Sequence, residues 1–397
     1  MKTHSLHTTL GVGLLALAAR APALAAGKVV SVNCDSGATI RDALDRGNEQ
    51  RQLTVIVRGT CNESVAVERS DVTLRGDPGA VISGPDPAVD TVFVTGSQVT
   101  IESLTITGGR NGVTALGATG LTVRNATIQG TGRGGVSFIA GANGTVDGCT
   151  IRGNVRDGVS VLGAAASVMN SVITENRTGI NVVDGGSARI GFDRFNAPAG
   201  NTITQNRSSG IGIANGATAS IALNEITGNG TDPAEAGRTG IGVIESSARI
   251  AGGNTISGNA GAGIATRAAN VVIGDPALGF STVNTIADNQ GGGVSGFLGT
   301  TMVIRDAVIR GNAGIGLIFS VRSSGQIFGS TIENSTGDGI RVTLGSALFI
   351  SSPGTSATGN AGWGLQCTDA ESSVLNTQLL SLSGNAAGGV TPACTGF

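Results

Sequence analysis

The sequence predicts an all-β chain wound as one solenoid of stacked coils, and three observations carry that prediction. The first is a recurring phrase, Ile-x-x-Asn-x-x-x-Gly-[Ile/Val]. It reads IRGNVRDGV from Ile151, ITQNRSSGI from Ile203, ISGNAGAGI from Ile256, IADNQGGGV from Ile286 and IRGNAGIGL from Ile309, with a shortened copy, ITENRTGI, from Ile173. The second is its spacing. The asparagines are Asn154, Asn176, Asn206, Asn229, Asn259, Asn289 and Asn312, and Ser335, Asn360 and Asn385 continue the slot, with separations of 22, 30, 23, 30, 30, 23, 23, 25 and 25 residues. A base step in the low twenties with insertions of about seven residues is a solenoid period. The third is local texture. Apolar residues alternate, as in Val159-x-Val161 and Ile180-x-Val182, and Gly or Asn interrupts every few residues. That is the period of short strands, not of helices.

Taken in order, residues 1–25 read as a secretory signal peptide. Lys2 precedes an apolar run from Leu10 to Ala19, and Ala23-Leu24-Ala25 offers a small-residue cleavage site. The run is too short to span a bilayer, and no later segment has 18 consecutive apolar residues, so no membrane insertion is expected once it is removed. The expected location is the periplasm or the cell exterior. Both histidines, His4 and His7, lie in this leader.

Residues 26–75 read as an N-terminal cap. A short amphipathic helix is expected over 38–46, ATIRDALDR, with Ile40, Ala43 and Leu44 on one face, followed by strand-like LTVIVRGTC and VAVERSDVTLRGD. Residues 76–397 read as coils of about three strands each, with a strand recurring as SARIG at Ser187 and SARIA at Ser247. Equivalent strands must stack in parallel about 4.8 Å apart, and about a dozen coils make a rod roughly 60 Å long. The whole is one elongated domain.

Two of the five cysteines lie near each end of the mature chain. We therefore pair Cys34 with Cys61 and Cys367 with Cys394, the latter closing the C-terminal end, and leave Cys149 as a buried small apolar residue. No spacing resembles a zinc site, and neither metal nor cofactor is expected.

Composition narrows function. The 25 basic and 27 acidic residues nearly balance, which argues against nucleic acid as a partner. Among the 397 residues are 66 glycines, one tryptophan and no tyrosine. Glycine is expected at turns that need unusual backbone angles. Asn is expected to bond amide to amide with its copy one coil away, forming a ladder. A second column is expected at Asn201, Asn224, Asn254 and Asn284.

This pattern resembles the right-handed parallel β-helix proteins of the pectin-lyase-like fold, over nearly all of the mature chain. The resemblance implies a single-stranded right-handed parallel β-helix. It says little of activity, because many chemistries share that scaffold.

Signs of catalysis are sparse. Hydrolysis of a polysaccharide needs two carboxylates about 5–10 Å apart. GDGIR, residues 337–341, resembles one part of the polygalacturonase pattern, which makes Asp338 a catalytic candidate; the remainder of that pattern is missing. RDGV, residues 156–159, has the same shape and adds Asp157, although Asp-Gly is an ordinary turn pair. No acidic cluster suits Ca²⁺, and the mature chain lacks the His or Tyr that proton abstraction commonly uses.

One polar neighbourhood emerges on aligning the coils. Arg133 and Arg156 share a turn position, Arg177 and Arg207 the neighbouring one, with Arg152, Asp157 and Glu175 close by. Stacked arginines repel unless an anion or carboxylate lies among them, so these residues are candidate ligands for a uronate or sulfate through bidentate contacts. The alternative, a solvated turn with local ion pairs, is the plainer one. Outward pairs such as Thr105/Thr107, Thr202/Thr204 and Thr255/Ser257 resemble ice-binding faces, but Arg152, Glu225, Arg310 and Glu333 break the array. The outward positions after the repeat Gly are small, namely Ser160, Asn181, Gly212, Gly242, Ala265 and Ser295, and form a flat strip suited to a partner or a glycan.

The preferred expectation is an exported, non-catalytic binding or structural module whose partner is a polysaccharide or cell-surface glycan. The alternatives are a polysaccharide lyase or glycoside hydrolase and, more remotely, an ice-binding protein.

Overall fold

The computed structural model describes residues 27–46, 52–280 and 283–394; the expected leader lies outside the described residues. Three parallel sheets run the length of the chain, one of 15 strands and two of 14. We term them A, B and C by their order within a coil. Sheet A opens with Lys28–Asn33 and Leu53–Arg58, sheet B with Thr60–Asn62 and sheet C with Val65–Val67. Strands lie on their copies from the next coil in register, as Ile203 lies opposite Ile226 and Ile226 opposite Ile256; Thr119–Arg124 is an exception, its register on Asn143–Asp147 shifting between Thr119 and Leu121.

The rod therefore has about 15 turns, more than the dozen expected. The difference lies at the N-terminal end. Strands such as Val72–Gly76, Val81–Gly84 and Val92–Val94 stack like the rest but lack the asparagine phrase. Alternation supplies the core. Ile128, Ile151, Ile173, Ile203, Ile226, Ile256, Ile286, Ile309 and Ile332 form one wholly buried column on sheet B.

The N-terminal end is covered by the helix Ile40–Arg46, which buries Ile40, Ala43 and Leu44. Glu63 accepts from the amides of Ile40 at 2.7 Å and Arg41 at 3.3 Å, satisfying donors the helix itself leaves free. Disulfides join Cys34 to Cys61 and Cys367 to Cys394.

The turns between sheets B and C hold a ladder of buried asparagines. Asn259 shows the pattern. Its Oδ1 accepts from Asn229 Nδ2 and Asn229 N, both at 3.0 Å, and its Nδ2 donates to Asn289 Oδ1 at 2.9 Å and to the Ile226 carbonyl at 3.1 Å. The amide bonds run unbroken from Asn154 through Asn176, Asn206, Asn229, Asn259 and Asn289 to Asn312. The turns between sheets A and B carry a second ladder, Asn201–Asn224–Asn254–Asn284. Cys149 and Ser171 occupy the two slots before it. Ser171 Oγ accepts from Cys149 N, and Cys149 Sγ contacts the Val123 carbonyl at 3.4 Å. The odd cysteine is thus a rung in a polar column as well as a small buried residue.

The repeat glycine has a different cause from the one expected. Gly240 has no left-handed backbone angle. A Cβ there would meet Ile256 Cγ2 at 2.5 Å, the Gly263 carbonyl at 2.6 Å and Asn259 Nδ2 at 2.9 Å. Gly158, Gly179, Gly210 and Gly263 are crowded by the same three groups one coil on. The ladder is packed too tightly against the strand end to admit any side chain. Insertions are confined to turns. Those at 192–199 and 274–280 fold toward each other, and Phe192 meets Phe280 edge-on at 5.4 Å over the small Ala222 and Ala251.

Gly240→Ala is expected to cost about 2–3 kcal/mol by overpacking. Gly216→Ala, where φ is 73° but an added Cβ meets open space, is expected to cost about 1 kcal/mol. Urea unfolding of the two variants checks the order; equal losses would mean that backbone angle, not crowding, selects the repeat glycine.

Candidate functional site

The outward face of sheet C is the candidate site. Its floor is in strict register: Ser160, Asn181, Gly212, Gly242 and Ala265 succeed one another up the rod. No floor side chain from Gly212 to Ala265 extends past Cβ. One wall is Gly237 of the insertion at 230–238 together with its neighbours Ser209 and Thr239. That insertion folds back over earlier coils, where Glu235 pairs with Arg177 at 2.8 Å and the Ala236 carbonyl accepts from Ser208 Oγ. The opposite wall is apolar, made by Ile244, Phe297, Leu298 and Val321, with Arg267 among them. Together they enclose a groove of about 640 Å³.

Asp157 stands at the N-terminal end of this groove, in the turn column that continues through Thr178 and Ser209. Its Oδ2 accepts from Asn181 Nδ2 at 3.1 Å, while its buried Oδ1 has no partner. Burial pushes its carboxyl above the ordinary aspartate value. Asn181, Thr178, Arg177 and Arg156 oppose that shift without cancelling it.

Other carboxylates on the rod are held the opposite way. Asp90 is gripped by both Nε and Nη2 of Arg110, at 2.8 and 2.9 Å, and by Asn111. Glu102 lies between Arg75 and Arg124 of the flanking coils, and Asp275 pairs with Arg249. Burial alone would raise all three, but the arginine contacts prevail and hold them below their ordinary values. Asp338 is also paired, to Arg341 Nε at 2.7 Å, and accepts from Trp363 N at 2.8 Å. It occupies the same turn column as Asp157, many coils away, so the two catalytic candidates do not meet. Asp90 shares that column too, and sequence reasoning missed it. Its signal was an Asp two residues before the inward Val92 of a sheet C strand.

The arginine neighbourhood is arranged differently from the alignment. Arg156 N donates to the Arg133 carbonyl and Arg177 N to the Arg156 carbonyl, at 2.8 and 2.6 Å. Arg133, Arg156 and Arg177 therefore form one column, and Arg207 lies outside it. The cause is the shortened turn at 176–179, which loses its residue directly after Asn176. Arg207 Nη2 instead donates to the Val155 carbonyl at 2.5 Å. A carboxylate does enter the column, that of Glu235. Arg152 and Glu175 sit on the sheet B side of the ladder. Arg152 is hydrogen-bonded to Gln129 at 2.9 Å, and Glu175 is exposed in a left-handed turn, φ 58°. Neither joins Asp157. On sheet B the outward Thr column is in register but is interrupted by Val172, Glu225 and Val308.

Asp157→Asn is expected to raise stability at pH 7 by about 0.5–1 kcal/mol, because it removes a charge that burial disfavours. The folded state holds the Asp157 proton more tightly than the unfolded chain does. The gain should therefore vanish as pH falls below the aspartate range. Asp90, Glu102 and Asp275 act with the reverse sign. Their stabilisation is present above the unfolded carboxylate values and is lost as pH falls through the lowered folded ones, so the wild-type thermal midpoint should drop below about pH 4. Melting curves of wild type and variant between pH 2.5 and 7 check both. Burial also pushes the Cys149 thiol up to about 11. Iodoacetamide at pH 8 should leave it unmodified in the native protein and label it once the chain is unfolded.

Several solved structures of known proteins resemble this chain. Among solved structures, the catalytic unit of a thermostable alpha-1,3-glucanase from Streptomyces thermodiastaticus is 13% identical and superposes over 91% of this chain and 68% of its own, TM-score 0.51. A surface adhesin of Streptococcus pneumoniae is 12% identical over 92% and 93% of the two chains, TM-score 0.47. The A-module of a mannuronan C-5 epimerase from Azotobacter vinelandii is 14% identical over 89% and 92%, TM-score 0.44. At such identities the likeness is one of fold alone. No curated protein matches the sequence. The family described as "Right handed beta helix region" matches residues 29–195, 157–317 and 234–379. Those spans cover most of the chain and coincide with the stacked coils. The protein belongs to the right-handed β-helix family.

Proposed function

We propose that the protein is an exported β-helix that binds a polysaccharide along the groove on sheet C and does not cleave it. The observation that carries this reading is the groove itself: a flat, in-register floor, an apolar wall, and polar groups from Asn181, Ser209 and Thr239 at one end. A saccharide presents apolar C–H faces and peripheral hydroxyls. A smooth apolar floor with a few placed donors and acceptors is complementary to both. The repetition of the floor suits a polymer, whose units can engage successive coils.

Two features support export: the leader-like residues 1–25 and the two disulfides, which persist in oxidising compartments. Two features support binding without turnover. The carboxylates Asp90, Glu102, Asp275 and Asp338 are engaged by arginines, and Asp157 stands without a facing acidic partner among the described residues. A lone carboxylate does not supply the acid and base that two-carboxylate hydrolysis needs. The raised Asp157 favours a second reading, a lyase or hydrolase in which it carries the proton.

A panel of neutral and acidic polysaccharides, assayed for retention and for released reducing ends or unsaturated uronates, separates them. Retention without cleavage is expected. Gly242→Leu, which places a branched side chain on the groove floor, is expected to weaken retention at least tenfold while the circular dichroism spectrum is unchanged. Cleavage that is lost in Asp157→Asn would establish the enzymatic reading instead, and retention unaffected by Gly242→Leu would move the site off sheet C.

A further inference from the structure

The wall of the groove is unusual in its backbone. The turn from sheet C to sheet A opens, coil after coil, on a residue in the left-handed region, and in several coils a second follows directly, as Gly216 follows Asn215 and Arg322 follows Val321. Successive coils fill that slot with Gly117, Ala140, Gly163, Asp184, Asn215, Glu245 and Ala268, then with Leu298, Val321 and Leu344. Glycine, Asn and Asp tolerate this conformation, whereas branched side chains are strained in it. Leu298, Val321 and Leu344 have φ values of 54°, 54° and 53°. Leu298 and Leu344 are also 43% and 58% exposed, and Ile244 and Phe297 beside them are 43% and 37% exposed. Three coils in succession thus accept backbone strain at an apolar residue, exposed at Leu298 and Leu344 and half-buried at Val321, where the same slot holds small or polar residues in the earlier coils. Strain of this kind points toward function when the surrounding structure offers no packing reason for it.

The groove that Leu298 and Val321 line carries a single charged side chain, Arg267. It is exposed and forms no ion pair with a carboxylate among the described residues. An occupant that matches this half of the groove is apolar along the floor and anionic near Arg267.

We propose that the groove receives an acyl substituent of an anionic glycan, the acyl chain lying over Gly212, Gly242 and Ala265 against Leu298 and Val321, and the anionic group pairing with Arg267. This rests on the glycan reading above and names the class of glycan. Arg267 selects by charge and the wall by chain length. Each methylene that the groove removes from water strengthens binding by about two- to fourfold.

Sodium butanoate and sodium decanoate, titrated into the full chain by calorimetry, probe the site directly. Decanoate is expected to bind at least tenfold more tightly than butanoate. The double variant Leu298→Gly/Val321→Asn installs residue types that the same slot holds in other coils. It is expected to lose that preference while its thermal midpoint stays level or rises. Arg267→Gln is expected to weaken decanoate severalfold and to keep the chain-length ratio, which gives a second readout independent of the turn. Equal binding of the two carboxylates, or a double variant that binds decanoate like wild type, would overturn the inference. Retention of acylated polysaccharides before and after alkaline de-esterification separates this from the glycan reading. Equal retention before and after would sink the acyl site and leave glycan binding standing. Decanoate binding that depends on Leu298 and Val321, with no glycan retained, would uphold the acyl site and sink the glycan reading.

Discussion

One coil must sit on the next at the spacing of a parallel sheet, about 4.8 Å, and every turn must meet its own copy at that distance. A buried polar group that repeats at this pitch is costly unless each copy satisfies the next. The asparagine amide does so, because it carries an acceptor and two donors on one plane. In the column from Asn154 to Asn289, each side chain accepts from the coil before and donates to the coil after, ending on Asn312. Its second N–H closes on an isoleucine carbonyl of the preceding coil, as Asn289 Nδ2 does on Ile256. Where serine replaces asparagine, at Ser335, the chain of side-chain amides stops and the hydroxyl finds no partner.

This ladder accounts for much of the remaining composition. Each amide fills the space beside the start of the sheet C strand one coil earlier, as Asn259 Nδ2 does beside Gly240, so that position must be glycine. Because turns are filled, extra residues can only leave outward, and they become the walls of surface features. The insertion at 230–238 raises one side of a groove by this route, and those at 192–199 and 274–280 form a small apolar clasp over Ala222 and Ala251. Surface features are thereby built on the outside of the rod, and the groove lies on the outward face of sheet C. There the floor is kept flat by Gly212 and Gly242, and the carboxylate of Asp157 is left half-buried.

The sequence displayed whatever repeats. The asparagine words marked their own coils and the Ile column, the apolar spacing within residues 38–46 marked the helix observed over Ile40–Arg46, and cysteine placement near the two ends pointed to both disulfides. Features that depend on a single residue gained or lost were hidden. The N-terminal coils stack Val and Thr without asparagine, so the coil count came out low. The missing residue after Asn176 shifts Arg177 into the column of Arg156, which an alignment on the asparagine cannot reveal. The flat strip was visible as a run of small outward residues. Its walls were not, because they come from turns whose direction no local pattern encodes. The partners of the carboxylates were equally hidden: Asp90 and Arg110 are 20 positions apart in sequence and meet only because the coils stack.

The functional reading depends on the rigidity of this scaffold, since a groove floor made of backbone and Cβ atoms holds its shape only if the rungs beneath it do not open. Hydrogen–deuterium exchange followed by mass spectrometry tests that dependence directly. Peptides containing Asn206, Asn229, Asn259 and Asn289 should exchange last in the chain, only with global unfolding, and later than the N-terminal coils between residues 60 and 110. Rapid exchange at the asparagine turns while the N-terminal coils stay protected would contradict the account.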